Sequence, residues 1–157
     1  TVALAGFFIR MGNLMNSEIY GNPTSLPWGF VFLRNGEIAT KHPTQLYEAV
    51  SYLLLFVLLL YLYRKRLPRL KEGTLFGIFL LVLFASRFFI EYIKEPQVAF
   101  EETMALNMGQ ILSIPFIFAG AILLLYSIMK GKPAMREVPK EKKPEKQSPL
   151  STTRGTY

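Results

Sequence analysis

The sequence predicts an all-α fold: a polytopic membrane helix bundle of three full transmembrane helices, the end of a fourth, and a disordered basic C-terminal tail. Three features carry that expectation. Long apolar runs cover residues 46–63, 74–93 and 108–129, a shorter one opens the chain, and Lys and Arg gather at the ends of the runs. With 51% hydrophobic and 18% charged residues, the 157-residue chain is too apolar to be disordered as a whole. It has no cysteine, no aspartate and one histidine. That composition excludes a disulfide framework and a cysteine nucleophile of its own, and it argues against a protein-built metal site. No metal and no cofactor are expected.

The opening run, TVALAGFFI, is too short to span a bilayer. Because it starts at Thr1, it reads as the outer end of a helix whose beginning lies upstream. The chain is therefore expected to be the C-terminal portion of a larger membrane protein, and inactive when expressed alone. The next three runs each approach the roughly 20 residues that a helix needs to cross the hydrocarbon core. A small soluble domain could hardly enclose three helices that are apolar all round. Residues 1–129 are thus expected to be membrane-embedded, and residues 130–157 a separate cytoplasmic tail.

Orientation follows from the short connections. Arg64, Lys65, Arg66, Arg69 and Lys71 follow the first full run, and residues 130–157 carry a net charge of +5. The connection between the second and third runs offers Lys94 against Glu95, Glu101 and Glu102. This places residues 64–73 and the C-terminus in the cytoplasm, and residues 10–45 and 94–107 on the outer side. The formal charge of +7 is then a matter of topology and anionic lipid rather than of nucleic acid.

Two polar constellations interrupt the apolar pattern. In RMGNLMNSEIYG, Arg10 supplies a fork suited to phosphate, Asn13 and Asn16 supply amides, Glu18 a carboxylate, and Gly12 and Gly21 allow close backbone approach. The plainer alternative is an interfacial turn with Arg10 reaching toward headgroups. Arg87 and Glu91 lie four residues apart on the second full run, hence on one helical face. An intramembrane charge pair more often faces a bundle interior than lipid, although a self-neutralised pair at a helix end is the alternative. His42, held extended before Pro43, is either a base or a structural side chain. Gln45, Tyr47 and Glu48 are expected to cap and anchor the helix at the outer interface, and Gln110 to pack by hydrogen bonding at the opening of the last span.

The order of these blocks resembles bacterial prolipoprotein diacylglyceryl transferases. RMGNLMNSEIYG is followed by PWG at residues 27–29, HPTQLYEA at 42–49, RF at 87–88 with Glu91, and MGQ at 108–110 with Ser113 and Pro115. The resemblance runs from about residue 9 to residue 129. It implies a multi-pass enzyme of the bacterial cytoplasmic (inner) membrane, with a cytoplasmic C-terminus. The implied reaction moves the diacylglyceryl group of phosphatidylglycerol to the lipobox cysteine of a prolipoprotein signal peptide, forms a thioether and releases glycerol 1-phosphate.

By the same resemblance, Arg10, Asn13, Asn16, Glu18 and Gly21 would bind phosphatidylglycerol, with Glu18 orienting Arg10 or a glycerol hydroxyl. Arg87 and Glu91 would act in catalysis or binding. His42, Gln45 and Gln110 are further possibilities, and the family's histidine base is expected upstream. The sequence departs from the family at Leu83, where a tyrosine is common, so either the hydroxyl is dispensable or another tyrosine such as Tyr92 supplies it. A non-catalytic transporter or channel bundle, with Arg87 and Glu91 as an ion relay, is the alternative reading, but the spans show no internal repeat that would favour it.

Overall fold

A computed structural model describes residues 1–66, 70–96 and 106–134. Four helices account for most of them: α1 (Val2–Met15), α2 (Thr44–Arg66), α3 (Thr74–Glu91) and α4 (Met108–Lys130). The last three are long and apolar enough to cross a membrane, and only 17–22% of the residues in their apolar windows are buried. Leu54, Phe118 and Ile122 are each about two-thirds exposed, as side chains that face lipid should be. Arg69, Glu101, Glu102 and residues 135–157, on which the loop-charge and tail expectations partly rest, lie outside the described residues.

The helices run alternately up and down. In the α1–α2 pair, Gly6 packs on the Tyr52 ring and Arg10 meets Glu48, which fixes an antiparallel register. In the α3–α4 pair the register is set four times: Thr74 with Ser127, Gly77 with Leu124, Leu81 with Gly120, and Glu91 with Gly109. Small residues do this because helices in lipid gain no hydrophobic driving force from each other. They associate by close backbone packing and hydrogen bonds instead. The Thr74 and Ser127 hydroxyls lie 2.7 Å apart, and Ser113 donates to the Gly109 carbonyl at 2.6 Å. Phe84 stacks on Phe116 with ring centroids 4.4 Å apart.

Each end of the bundle has its own chemistry. Arg64, Lys65, Arg66, Lys71, Lys130 and Lys132 gather at one end, where Lys71 caps the last turn of α4 through the Ile128 carbonyl. At the other end, residues 16–43 form an irregular cover around a short 3₁₀ turn (Leu33–Asn35). Isolated bridges tie that cover together: Gly21 to Lys94, and both Pro23 and Phe30 to Lys41. Gly21 is needed at this crossing, since an added Cβ would lie 2.7 Å from the Ile93 carbonyl oxygen and 2.8 Å from the His42 Cβ.

One boundary differs from the sequence reading. Arg10 does not leave the helix, because α1 continues through Arg10 and Asn13 to Met15. The drop in hydropathy at residue 10 marks a change of surroundings, not of backbone. Termination comes at Asn16, followed by positive φ angles at Ser17 (59°) and Ile19 (60°). A β-branched residue in that region is strained and needs support. Two fully buried side chains of α2 supply it: Thr44 donates to the Ile19 carbonyl at 3.0 Å and Gln45 to the Glu18 carbonyl at 2.6 Å.

Candidate functional site

The buried face of α2 is a stripe of Gln45, Glu48, Tyr52 and Leu55 at three- and four-residue spacing. Glu48 is completely buried, and a lone carboxylate at that depth would be costly. It is paired: Arg10 Nε lies 2.7 Å from its Oε2, and Lys94 Nζ lies 3.6 Å from its Oε1. Lys94 also lies 3.3 Å from Glu91 Oε2. Glu91 in turn rests on Gly109, where a Cβ would come within 2.6 Å of Oε2. Arg10, Glu48, Lys94 and Glu91 therefore form a chain of alternating charge drawn from α1, α2 and the end of α3.

Three members of this chain of charges, Arg10, Lys94 and Glu91, line a cleft of about 520 Å³. Arg10, Arg87, Glu91 and Lys94 line its polar side, and Met108, Ile111, Leu112 and Pro115 of α4 line the other. Among the described residues Arg87 has no ion pair, so its fork is open to a ligand. Counting Arg10, Arg87 and Lys94 against Glu48 and Glu91 leaves one positive charge in excess. Such a cleft suits a monoanionic phosphodiester attached to apolar chains. Tyr52, 6% exposed, sits within electrostatic reach of Arg10, Glu48 and Arg87.

Several expectations change. Arg10's carboxylate partner is Glu48 rather than Glu18, which is exposed and faces a separate polar recess with Asn35 and Glu95. Ile19 lines both the recess and the cleft. Glu48 is not an interfacial anchor, because it is fully buried between Arg10 of α1 and Lys94 beyond α3. Arg87 and Glu91 share the cleft but do not pair, since Glu91 is held by Lys94. Tyr92 is 77% exposed, and the tyrosine near the arginines is Tyr52.

The remaining expected residues fall around the cleft. Asn13 and Asn16 lie on the last turn and cap of α1, where Asn13 accepts the Glu18 N–H through its carbonyl at 2.9 Å. Gly21 sits at the crossing described above. Gln110 is buried, accepts the Asn107 N–H at 3.1 Å and donates to the Phe88 carbonyl at 3.4 Å, which fastens α4 to α3 beside the cleft. His42 is elsewhere: its Nδ1 lies 3.3 Å from the Tyr47 hydroxyl, which accepts the Trp28 indole N–H at 2.9 Å. From the sequence Glu48 reads as an interfacial anchor and Lys94 as a loop charge, and neither is expected in the cleft. The signal for Glu48 was its place on the 45–48–52–55 stripe, whereas Lys94 looked like any loop charge.

Comparison with known proteins bears on this arrangement. The family model described as prolipoprotein diacylglyceryl transferase matches residues 1–126. A phosphatidylglycerol–prolipoprotein diacylglyceryl transferase of Tolumonas auensis is 53% identical over 125 residues, covering 80% of this chain and 48% of that protein. A protein of the same name from Bacteroides fragilis is 49% identical over 119 residues, 76% of this chain and 43% of its own length. One from Chlamydia pneumoniae is 42% identical over 133 residues, 82% and 46% respectively. The chain thus spans about half the length of these curated relatives. No solved structure matches it.

Proposed function

Because the chain belongs to the prolipoprotein diacylglyceryl transferase family, we propose that it contributes the phosphate-binding cleft of an enzyme that moves the diacylglyceryl group of phosphatidylglycerol to a prolipoprotein's lipobox cysteine. In that reaction the cysteine sulfur attacks the glyceryl carbon that bears the phosphodiester oxygen. A C–S bond forms, the C–O bond breaks, and the electron pair leaves with glycerol 1-phosphate. The thiol proton passes to a base. Charge builds on the departing phosphate, so fixed cations are most useful there.

The observation that carries this reading is the pair of arginines, Arg10 and Arg87, lining one cleft whose opposite wall is apolar. Arg10 is preorganised by Glu48, and Arg87 has no ion pair among the described residues. The α4 wall would hold the start of an acyl chain, and Glu91 would accept a hydrogen bond from a glycerol hydroxyl. The transporter reading needs Arg87 and Glu91 as a relay pair, and Glu91 is instead engaged by Lys94.

The proposed setting is the bacterial inner membrane. The end carrying Arg64–Arg66, Lys71, Lys130 and Lys132 would be cytoplasmic and the cleft would lie toward the outer leaflet, in keeping with the Lys and Arg asymmetry. The tail would lie close to anionic lipid.

The test is transfer from labelled phosphatidylglycerol to a lipobox peptide by the protein as it is made in the cell. Arg10→Lys keeps the charge but loses the planar fork. It should cost about 3 kcal/mol of transition-state stabilisation, roughly a hundredfold in rate. Arg64→Ala, at the far end of α2, should transfer at the unsubstituted rate. Near-normal transfer by Arg10→Lys would reduce Arg10 to a generic positive charge.

A further inference from the structure

We infer that Lys94 is a positioning residue: it neutralises Glu48 and Glu91 together and so keeps the Arg87 guanidinium open for an incoming phosphate. The kinetic consequence rests on the function proposed above; the electrostatic one does not.

Two carboxylates are buried beside the cleft, Glu48 completely and Glu91 at 7% exposure. Arg10 sits against Oε2 of Glu48. Lys94 is the cation that reaches both residues, at 3.6 Å from Glu48 Oε1 and 3.3 Å from Glu91 Oε2. At 3% exposure, with carboxylates as its ionic neighbours, the ammonium is committed to compensation rather than to a ligand.

Its backbone is fixed as firmly as its head. The Lys94 N–H donates to the Glu91 carbonyl at 3.2 Å, Lys94 bridges Gly21, and the Asn22 N–H donates to the Ile93 carbonyl at 3.0 Å. The Asn107 side chain donates to the same Glu91 carbonyl at 3.1 Å. Outer cover, α3 and the entry to α4 thus converge on one lysine.

Removal of that ammonium leaves Glu91 without a cation at a depth where an uncompensated carboxylate is costly. Arg87, which has no ion pair among the described residues, can respond, because it lies four residues earlier on α3 and hence on the same face. Once drawn onto Glu91, its fork would be lost to the phosphate. Lys94 therefore acts on the lipid through Arg87.

Three variants test this: Lys94→Met, Lys94→Arg, and Lys94→Met combined with Glu91→Gln, which removes one charge of each sign. The first readout is KM for phosphatidylglycerol against KM for the lipobox peptide. Lys94→Met should raise the lipid KM by about tenfold or more and leave the peptide KM within about twofold. Lys94→Arg should stay within about threefold of the unsubstituted protein for both, and the double variant, which also alters a residue proposed to meet the glycerol, is read by stability alone. The second readout is the thermal unfolding midpoint in detergent micelles, which should fall for Lys94→Met and return for the double variant and for Lys94→Arg.

A double variant with an unfolding midpoint as low as that of Lys94→Met would overturn the proposal, and so would a Lys94→Met protein unchanged in both readouts. A shift confined to the peptide KM would also overturn it. If the unsubstituted protein transfers nothing from phosphatidylglycerol, the proposed function fails, while the unfolding midpoints still judge whether Lys94 balances the two carboxylates.

Discussion

At the scale of single residues, the cleft depends on which side chains have partners. Gly109 is present because the Glu91 carboxylate occupies the space a Cβ would need. Gly109→Ala should therefore push Glu91 off Lys94 and lower transfer by at least about tenfold, with near-native helicity by circular dichroism. Unchanged activity would mean that Glu91 has room to shift. The sequence made the two arginines of this site legible, since an arginine at membrane depth calls for an explanation. Glu48 was not legible. It stands near the start of an apolar run, where a carboxylate reads as interfacial, and the packing of α1 and of the segment after α3 against that face, which brings Arg10 and Lys94 to it, is not visible in the local pattern.

A second residue cluster outside the spans gives a pH signature. Glu37 accepts hydrogen bonds from Lys41 at 2.8 Å and from the Tyr20 hydroxyl at 2.9 Å, and these hold its carboxyl below the usual 4.5. Burial pulls the Lys41 ammonium down, but its hydrogen bonds to Glu37 and Glu95 more than reverse this and leave it above its usual 10.5. A lowered acid stabilises the fold fully above its unfolded value and stops doing so as pH falls through the folded one. A raised base contributes fully below its unfolded value and loses that as pH rises. The outer cover should thus hold from about pH 5 to 10 and loosen in acid below about 4.5. Trp28, the only tryptophan and a donor to Tyr47, reports it by fluorescence. A transition near neutrality would contradict this account of the cover.

At the scale of elements, α3 and α4 associate through glycines and hydroxyls. A Cβ on Gly120 would lie 2.7 Å from the Leu81 backbone nitrogen, so Gly120→Val should destabilise the pair by about 1–3 kcal/mol. Gly12, with nothing within 4 Å of a built Cβ, should behave oppositely. Gly12→Ala should stabilise α1 by roughly 0.5–1 kcal/mol. Unfolding midpoints in detergent compare the two. The three spans were readable because bilayer thickness and apolar length constrain each other. The end of α1 was not, because helix propensity ignores the polarity change at Arg10 and the terminating turn is held by Thr44 and Gln45, far along the chain.

For the whole molecule, the absence of cysteine allows a clean topology test. A membrane-impermeant thiol reagent should label Ile38→Cys, at a site 94% exposed, in intact spheroplasts, and Arg64→Cys only after permeabilisation. Labelling of Arg64→Cys from outside would invert the orientation. The proposed orientation would place the cleft where an outer-leaflet headgroup and an emerging signal peptide could meet. The central claim is that the open guanidinium of Arg87 receives the phosphate of phosphatidylglycerol there. Arg87→Gln tests it most directly, because no ion pair to Arg87 exists among the described residues and its removal strands no buried partner. Transfer from labelled phosphatidylglycerol to a lipobox peptide should fall by about a hundredfold while the unfolding midpoint stays at that of the unsubstituted protein. Transfer within about twofold of normal, at equal stability, would contradict the claim.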